Sequence, residues 1–296
     1  MNTSYEEKTF ENYFNGELLA SNSVVFPLGQ AQEGVIGIDS AAYSKNRQLW
    51  KIFDYPWFHP PYRGIDLQDI AWEMEHHTNA SVHNIPKIKT NLLFQYKRSE
   101  YLVSPLSGQW SHWKQSYFRY EINQNQQNLL EHLESQFGQQ ALVLYAAPAI
   151  KSVDELVEAS MKKQIIEKTN FQKVSKLSGH HKNTFIQAGT ISKAFSQPEE
   201  IENVDLLKTL NNMDGQDFSF EKLTSFTSTV NEVMQENNEY YHSFNVLMEQ
   251  YLNLKEYKVF YGFMQMKVFR ELTGIQWSMS FESSIDTEME EFQKPR

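Results

Sequence analysis

The residues best suited to chemistry fall in two short segments, Gln32-Glu33-Gly34-Val35-Ile36-Gly37-Ile38-Asp39 and Leu92-Leu93-Phe94-Gln95-Tyr96-Lys97. Read as adjacent strands, they supply a carboxylate at Asp39 and an amide oxygen at Gln95. Lys97, two residues further on, shares the face of Gln95 because strand side chains alternate. Such a set suits phosphodiester hydrolysis, in which a divalent cation activates water and offsets the charge of the transition-state phosphorane. Magnesium takes a few carboxylate oxygens and waters in octahedral geometry. The lysine can orient the attacking water or stabilise the developing charge. Each residue also has a plainer use. Asp39 can make an Asx turn, Gln95 can make a structural hydrogen bond, and Lys97-Arg98-Ser99-Glu100 can be a solvated strand end.

Other titratable groups cluster in two places. Trp72-Glu73-Met74-Glu75-His76-His77 lacks the H-E-x-x-H spacing of a zinc helix. On a helix, Glu73 would share a face with His76 or His77, and the simpler expectation is imidazoles lying near the C-terminal dipole. Glu73 or Glu75 could nevertheless replace Glu33 as a metal ligand. Gly179-His180-His181-Lys182-Asn183 reads as a polar loop in which His180 or His181 could act as a general acid or bind phosphate; plain solvation is the stronger expectation. Tyr55, Trp57, Phe58, Tyr62, Trp110, Trp113, Tyr117 and Tyr120 gather in two stretches, with Lys114 and Arg119 interleaved in the second. Bases can stack on such rings, although packing into mini-cores or a protein interface is the simpler use. No G-x-x-x-x-G-K-[ST], G-x-G-x-x-G or G-x-S-x-G motif supports an NTPase, a dinucleotide enzyme or an α/β-hydrolase.

The 296 residues hold 40% hydrophobic and 22% charged side chains, the balance of a folded globular chain. With no cysteine, thiolate metal sites, disulfides and cysteine nucleophiles are excluded. The polar, acidic start is unlike a signal peptide, and no apolar run nears the ~18 residues of a membrane span. A cytoplasmic protein without membrane contact is expected. Residues 1–196 carry 19 Lys+Arg and 19 Asp+Glu, whereas residues 197–296 carry 8 and 18 and so supply the whole net charge of −10. A boundary near Ser196-Gln197-Pro198 follows. The acidic second part would repel a polyanion, so strong unaided nucleic-acid binding is not expected.

The elements that must position these residues read as follows. Short extended pieces lie at 24–28 and 35–39, then an aromatic, proline-rich connection, then a helix over 66–78 with Asp66 as its cap. Strands follow at 91–97 and 117–122. A helix over 124–137, closed by Gly138, leads to the fully apolar strand 141–148, of the kind buried on both faces. A helix over 154–168 and a short strand at 184–186 come next, and beyond residue 200 the pattern is mainly helical, with 230–254 long and amphipathic. The fold class is α/β: a mixed sheet flanked by helices over 1–196, with residues 43–90 as an insertion, followed by a mainly helical acidic module over 197–296.

The segments Gly37-Ile38-Asp39 and Gln95-Tyr96-Lys97, in this order and followed by a helix and an apolar strand, resemble the PD-(D/E)XK, or restriction-endonuclease-like, superfamily. The resemblance is to its Q-x-K variants, common among Mrr-type restriction and anti-phage defence nucleases, and it covers roughly residues 20–190. It implies a site of Asp39, Gln95, Lys97 and Glu33, with Asp39, Gln95 and Glu33 around Mg²⁺ or Mn²⁺ and Lys97 positioning the water. It further implies a DNA endonuclease of bacterial defence or restriction. The 55 residues between Asp39 and Gln95 are more than the pattern needs, and glutamine replaces the usual carboxylate. The alternative is a catalytically silent nuclease-like subunit that binds a partner protein in a multi-subunit defence complex; RNA as substrate is a third reading. The acidic C-terminal helices are expected to dock a protein partner or a second copy.

Overall fold

The computed structural model describes residues 3–21, 24–25, 67–68, 71–72, 75–76, 87–217, 219–237 and 239–282. Helix α1 (Glu7–Ser21) and strand β1 (Val24–Val25) come first, then β2 (Ile88–Tyr96) and β3 (Glu100–Leu102). The short helix α2 (Trp110–Trp113) precedes β4 (Tyr117–Glu121), α3 (Gln124–Phe137), β5 (Ala141–Pro148), α4 (Val153–Met161) and β6 (Thr169–Lys173). Strands β7 (Lys182–Phe185), β8 (Ile191–Phe195) and β9 (Glu199–Glu202) follow, then α5 (Leu206–Asn211), α6 (Phe220–Glu236), α7 (Tyr241–Glu249), α8 (Lys258–Thr273) and β10 (Ile275–Phe281).

The strands form two five-stranded sheets, β1-β10-β2-β5-β6 and β3-β4-β7-β8-β9. In the first, β2 and β5 run parallel and every other pairing is antiparallel. Crossing from β2 to a parallel neighbour takes a long connection, and α3 belongs to it. Asn123 caps α3 by accepting the Gln126 N–H, and Leu129, Leu130, Leu133 and Phe137 form its buried stripe. The fold is mixed α/β, as the sequence reading expects.

Two apolar layers sandwich the first sheet. On one face Leu92, Phe94, Tyr96, Leu142, Leu144 and Ala146 pack against Phe10, Phe14 and Leu18 of α1 and Leu156 of α4. On the other, Leu93, Val143, Tyr145 and Trp277 join α3, α6, α8 and the inner side of the second sheet. Phe118 and Phe185 stack there with centroids 5.5 Å apart, and Tyr120 meets Tyr145 at 5.9 Å. Strands β5 and β10 are buried along their full length, β2 over all but Lys89.

The expected boundary at 196–198 does not separate two cores. Ser196-Gln197-Pro198 is the turn between the paired strands β8 and β9, and β10 lies inside the first sheet between β1 and β2. Residues 197–282 therefore complete the core rather than append a helical module. Two helices are also shorter than their periodicity suggests. The expected 154–168 helix stops at Met161, where Lys163 adopts a positive φ of 54°. The expected 230–254 helix breaks after Glu236, where the Asn237 side chain accepts the Glu239 N–H. The described part of 66–78, residues 67–68, 71–72 and 75–76, is helical.

Burial pushes the phenols of Tyr5, Tyr96, Tyr120 and Tyr145 above the tyrosine value of 10.0. Above that pH the folded chain holds protons that the unfolded chain releases, so the stability these groups contribute is intact below it and lost as pH rises. The phenols of Tyr240 and Tyr261 are raised in the same way, while Lys97 works in the opposite sense. Urea-unfolding midpoints should fall above about pH 10.

Candidate functional site

The C-terminal end of a parallel strand pair is where α/β sheets commonly carry their ligands. Here β2 ends in Gln95 and Tyr96 beside Tyr145 and Ala146 of β5, with Lys97 directly after it donating its N–H to the Ala146 carbonyl. Pleating sends Tyr96 toward α1, where its hydroxyl donates to Asn15 Oδ1 and its ring meets Phe14 edge-on at 5.5 Å. Gln95 and Lys97 turn to the opposite face, as their spacing predicts. Lys97 Nζ lies 5.7 Å from the centroid of the Tyr145 ring.

Gln95 is buried, and its Nε2 donates to the Tyr96 carbonyl at 3.0 Å. Its Oε1 is shielded from solvent and receives no hydrogen bond from the described residues. An unpaired buried acceptor costs about 1–3 kcal/mol; Gln276 Oε1 on β10 is in the same state, its Nε2 likewise donating to the next residue's carbonyl. Lys97 Nζ donates to Gln126 Oε1 at 2.8 Å, and Gln126 Nε2 donates to the Thr273 carbonyl at 3.2 Å. Beside this pair, the Tyr145 hydroxyl donates to Gln127 Oε1 at 2.7 Å, and Gln127 Nε2 reaches Glu131 Oε1 at 2.7 Å. Burial lowers the Lys97 ammonium below the ordinary lysine range, and Glu7 opposes that shift. Burial likewise raises the Glu7 carboxyl, against the pull of Lys97 and of the Arg98 N–H, which donates to Glu7 Oε2 at 3.1 Å.

Of the residues singled out in the sequence, the structure brings Gln95 and Lys97 to one face. Glu33, Asp39, Glu73 and His77 lie outside the described residues. Ile275 of β10 and Tyr145 of β5 lie opposite Gln95 on its two sides. Sequence reasoning missed Glu7, Gln126 and Tyr145. Glu7 sits in a polar lead-in with no motif. Gln126 stands in the run Gln124-Asn125-Gln126-Gln127, where nothing distinguishes it from a solvated first turn.

Two of the secondary candidates, Glu75 and His180, are used elsewhere. Glu75 Oε2 accepts the Val259 N–H at 3.2 Å, in the first turn of α8, where a carboxylate offsets the positive helix end. Thr273, beside Gln126, is at the other end of that helix, about 20 Å away at 1.5 Å per residue. Glu75 therefore does not join Gln95 and Lys97. His180 is buried: its Nδ1 accepts the Ser196 N–H at 3.3 Å and its Nε2 faces Glu199 Oε2 at 3.2 Å. The Ser196 bond requires a bare Nδ1 and places the proton on Nε2. It is a brace for the β8–β9 turn, not a solvated loop ring. His181 is exposed, while its backbone pairs with Phe195 and Ile122.

The second aromatic stretch packs rather than presenting a stacking platform. Tyr117 and Tyr120 are buried, and Trp113 Nε1 donates to Thr184 Oγ1 at 2.9 Å with Lys193 Nζ 4.8 Å from its ring. The cations on the outer face of the second sheet have acidic partners, Arg119 with Glu100 and Lys193 with Glu200, as does Lys182 with Glu121. Among the described residues, no group of three or more His, Asp or Glu side chains could hold a metal, and no helix is long and apolar enough to cross a membrane.

No family model matches the chain, and no curated protein or solved structure matches it.

Removing the cap in Glu75→Ala should cost about 1 kcal/mol, and His180→Ala about 1–3 kcal/mol. His181→Ala should stay within about 0.5 kcal/mol. Denaturant titration checks all three; equal losses at His180 and His181 would contradict the brace.

Proposed function

We propose that this chain is a metal-dependent phosphodiesterase acting on DNA, a restriction-endonuclease-like nuclease of the Q-x-K kind. One observation carries the reading. Gln95 and Lys97 sit on the same face at the C-terminal end of parallel strands β2 and β5, and the Gln95 carbonyl oxygen has no donor among the described residues. The order also supports it: α1 on one face, the Q-x-K strand, α3 on the other face, then a parallel strand.

A hydrated Mg²⁺ or Mn²⁺ would supply an activated water and neutralise charge on the phosphorane. Gln95 Oε1 suits such an ion as a neutral oxygen ligand. The described residues fit it in part: the carboxylates that complete the shell in this reading, Asp39 and Glu33, lie outside them. The work of Lys97 is to hold a positive charge against the phosphate side of the site. Desolvation makes that charge more effective at short range than it would be in water.

Because the chain carries a net charge of −10, DNA affinity is proposed to depend on a partner subunit or a second copy. The second reading, a silent scaffold that docks a partner protein, is favoured by Lys97 being held by Gln126 and by both edges of β2 being filled.

Asp39→Ala and Lys97→Ala should each abolish Mg²⁺-dependent cleavage of duplex DNA, by a factor of about 100 or more, without lowering the melting temperature by more than a few degrees. Chelation should do the same to the unmodified chain. Cleavage that survives both substitutions contradicts this site. A chain that binds a partner but yields no product, with or without the substitutions, supports the scaffold.

A further inference from the structure

The second sheet ends on β9, whose outer edge has no neighbouring strand among the described residues. The corresponding edge of the first sheet is used: at β6 the Phe171 carbonyl accepts the Val204 N–H at 2.9 Å. On the inner side of β9 the Asn203 N–H donates to the Thr190 carbonyl at 2.8 Å, continuing the register that sets Glu202 against Ile191 and Glu200 against Lys193. Bonded and non-bonded positions alternate along an antiparallel pair. The N–H and C=O of Glu200 and Glu202 therefore point away from β8, into the open edge. A hollow of about 490 Å³ lies there, lined by Thr190, Ile191, Glu200, Ile201, Glu202 and Asn203. Glu200 and Glu202 stand on one face of the strand and Ile201 on the other, so the hollow follows the edge itself.

Charge and side-chain pattern narrow the occupant. Glu202 is exposed, and Glu200 reaches Lys193 Nζ only at 4.0 Å. Ile191 stands beside Glu202 on the same face and is 44% exposed, a surface on which the aliphatic stem of a long cationic side chain can lie. On the opposite face Ile201 is buried and belongs to the main core, so a residue across from it would meet apolar surface. A second copy paired antiparallel about Ile201 would set Glu200 against Glu202, and like charges directly opposite are destabilising. We propose that β9 takes an extended basic segment of a partner protein as an added strand, with lysine or arginine opposite Glu200 and Glu202 and an apolar residue opposite Ile201. Main-chain hydrogen bonds supply the affinity of such an addition, and the two carboxylates select the partner. The acidic excess of residues 197–296 favours encounter with a cationic segment. Because β9 belongs to the second sheet and Gln95 to the first, the interface stands whether or not the chain cleaves DNA.

The probe is a short peptide of alternating lysine and valine, capped at both ends, added to the ¹⁵N-labelled full chain while amide exchange is followed by NMR. Bound peptide should slow exchange of the Glu200 and Glu202 N–H groups by about tenfold or more, and leave that of Ile201, already paired with β8, unchanged. The same peptide methylated at its lysine backbone nitrogens keeps its charge but loses the donors, and should bind about tenfold more weakly or worse. A peptide with glutamate in place of lysine should not bind. Glu202→Lys, on the exposed face, should weaken the lysine peptide by about tenfold. If that variant fails to fold, the methylated peptide on the unmodified chain decides. Equal binding of the methylated and unmethylated peptides, or exchange slowed at neither Glu200 nor Glu202, would overturn the added strand. So would a chain that dimerises with these two amides protected before any peptide is added, which would assign the edge to a second copy.

Discussion

The burial of β2 on both faces, at the centre of its sheet, is the constraint on which the site depends. Its neighbours β10 and β5 take up its backbone groups, and apolar layers cover its two sides. A polar side chain on such a strand cannot escape to water. Gln95 is thus held beneath the surface with one end bound and the other bare. Replacing it with an apolar residue of similar size would remove an unpaired group from the core.

The same constraint explains why the last third of the chain cannot be an appendage. Without β10, β2 would be an edge strand with unpaired N–H and C=O groups. Trp277 of β10 fills the core with its Nε1 bound to Asn91 Oδ1 at 3.0 Å, and α8, directly before it, delivers the Thr273 carbonyl to Gln126. Arg270 of α8 also pairs with Glu11 of α1, both nearly buried, so the N-terminal helix and the final helix are joined. Removing one member of such a pair leaves an uncompensated charge and costs about 3–5 kcal/mol. The acidic side chains of residues 197–282 are borne by a region whose apolar side is committed to the common core.

Much of the scaffold was legible in the sequence. The run Leu129, Leu130, Leu133 and Phe137 with Gly138 gave α3 its ends, and the unbroken apolar stretch Ala141–Pro148 gave β5. The alternation that set Gln95 and Lys97 on one face was equally direct. What stayed hidden depends on distant contacts. Ile275-Gln276-Trp277-Ser278-Met279-Ser280-Phe281 alternates with period two, but its polar members are buried, so alternation did not reveal a central strand. The break at Asn237 is a local Asx bond within an otherwise helical pattern. Glu75 and His180 looked like ligands because their composition suits chemistry; only the positions of Val259 and Ser196, 184 and 16 residues away, reveal their structural work. Gln126 carried no signal at all, since its role is defined by Lys97 and Thr273 together.

The central claim is that Gln95 and Lys97 face a divalent cation. Paramagnetic broadening by Mn²⁺ tests it without requiring a substrate. Substoichiometric Mn²⁺ added to the chain labelled at glutamine Nε2 and lysine Cε should broaden the Gln95 and Lys97 signals first, and excess Mg²⁺ should restore them. Signals at these two residues that stay sharp while others broaden, or that broaden only in step with the whole spectrum, would contradict the account.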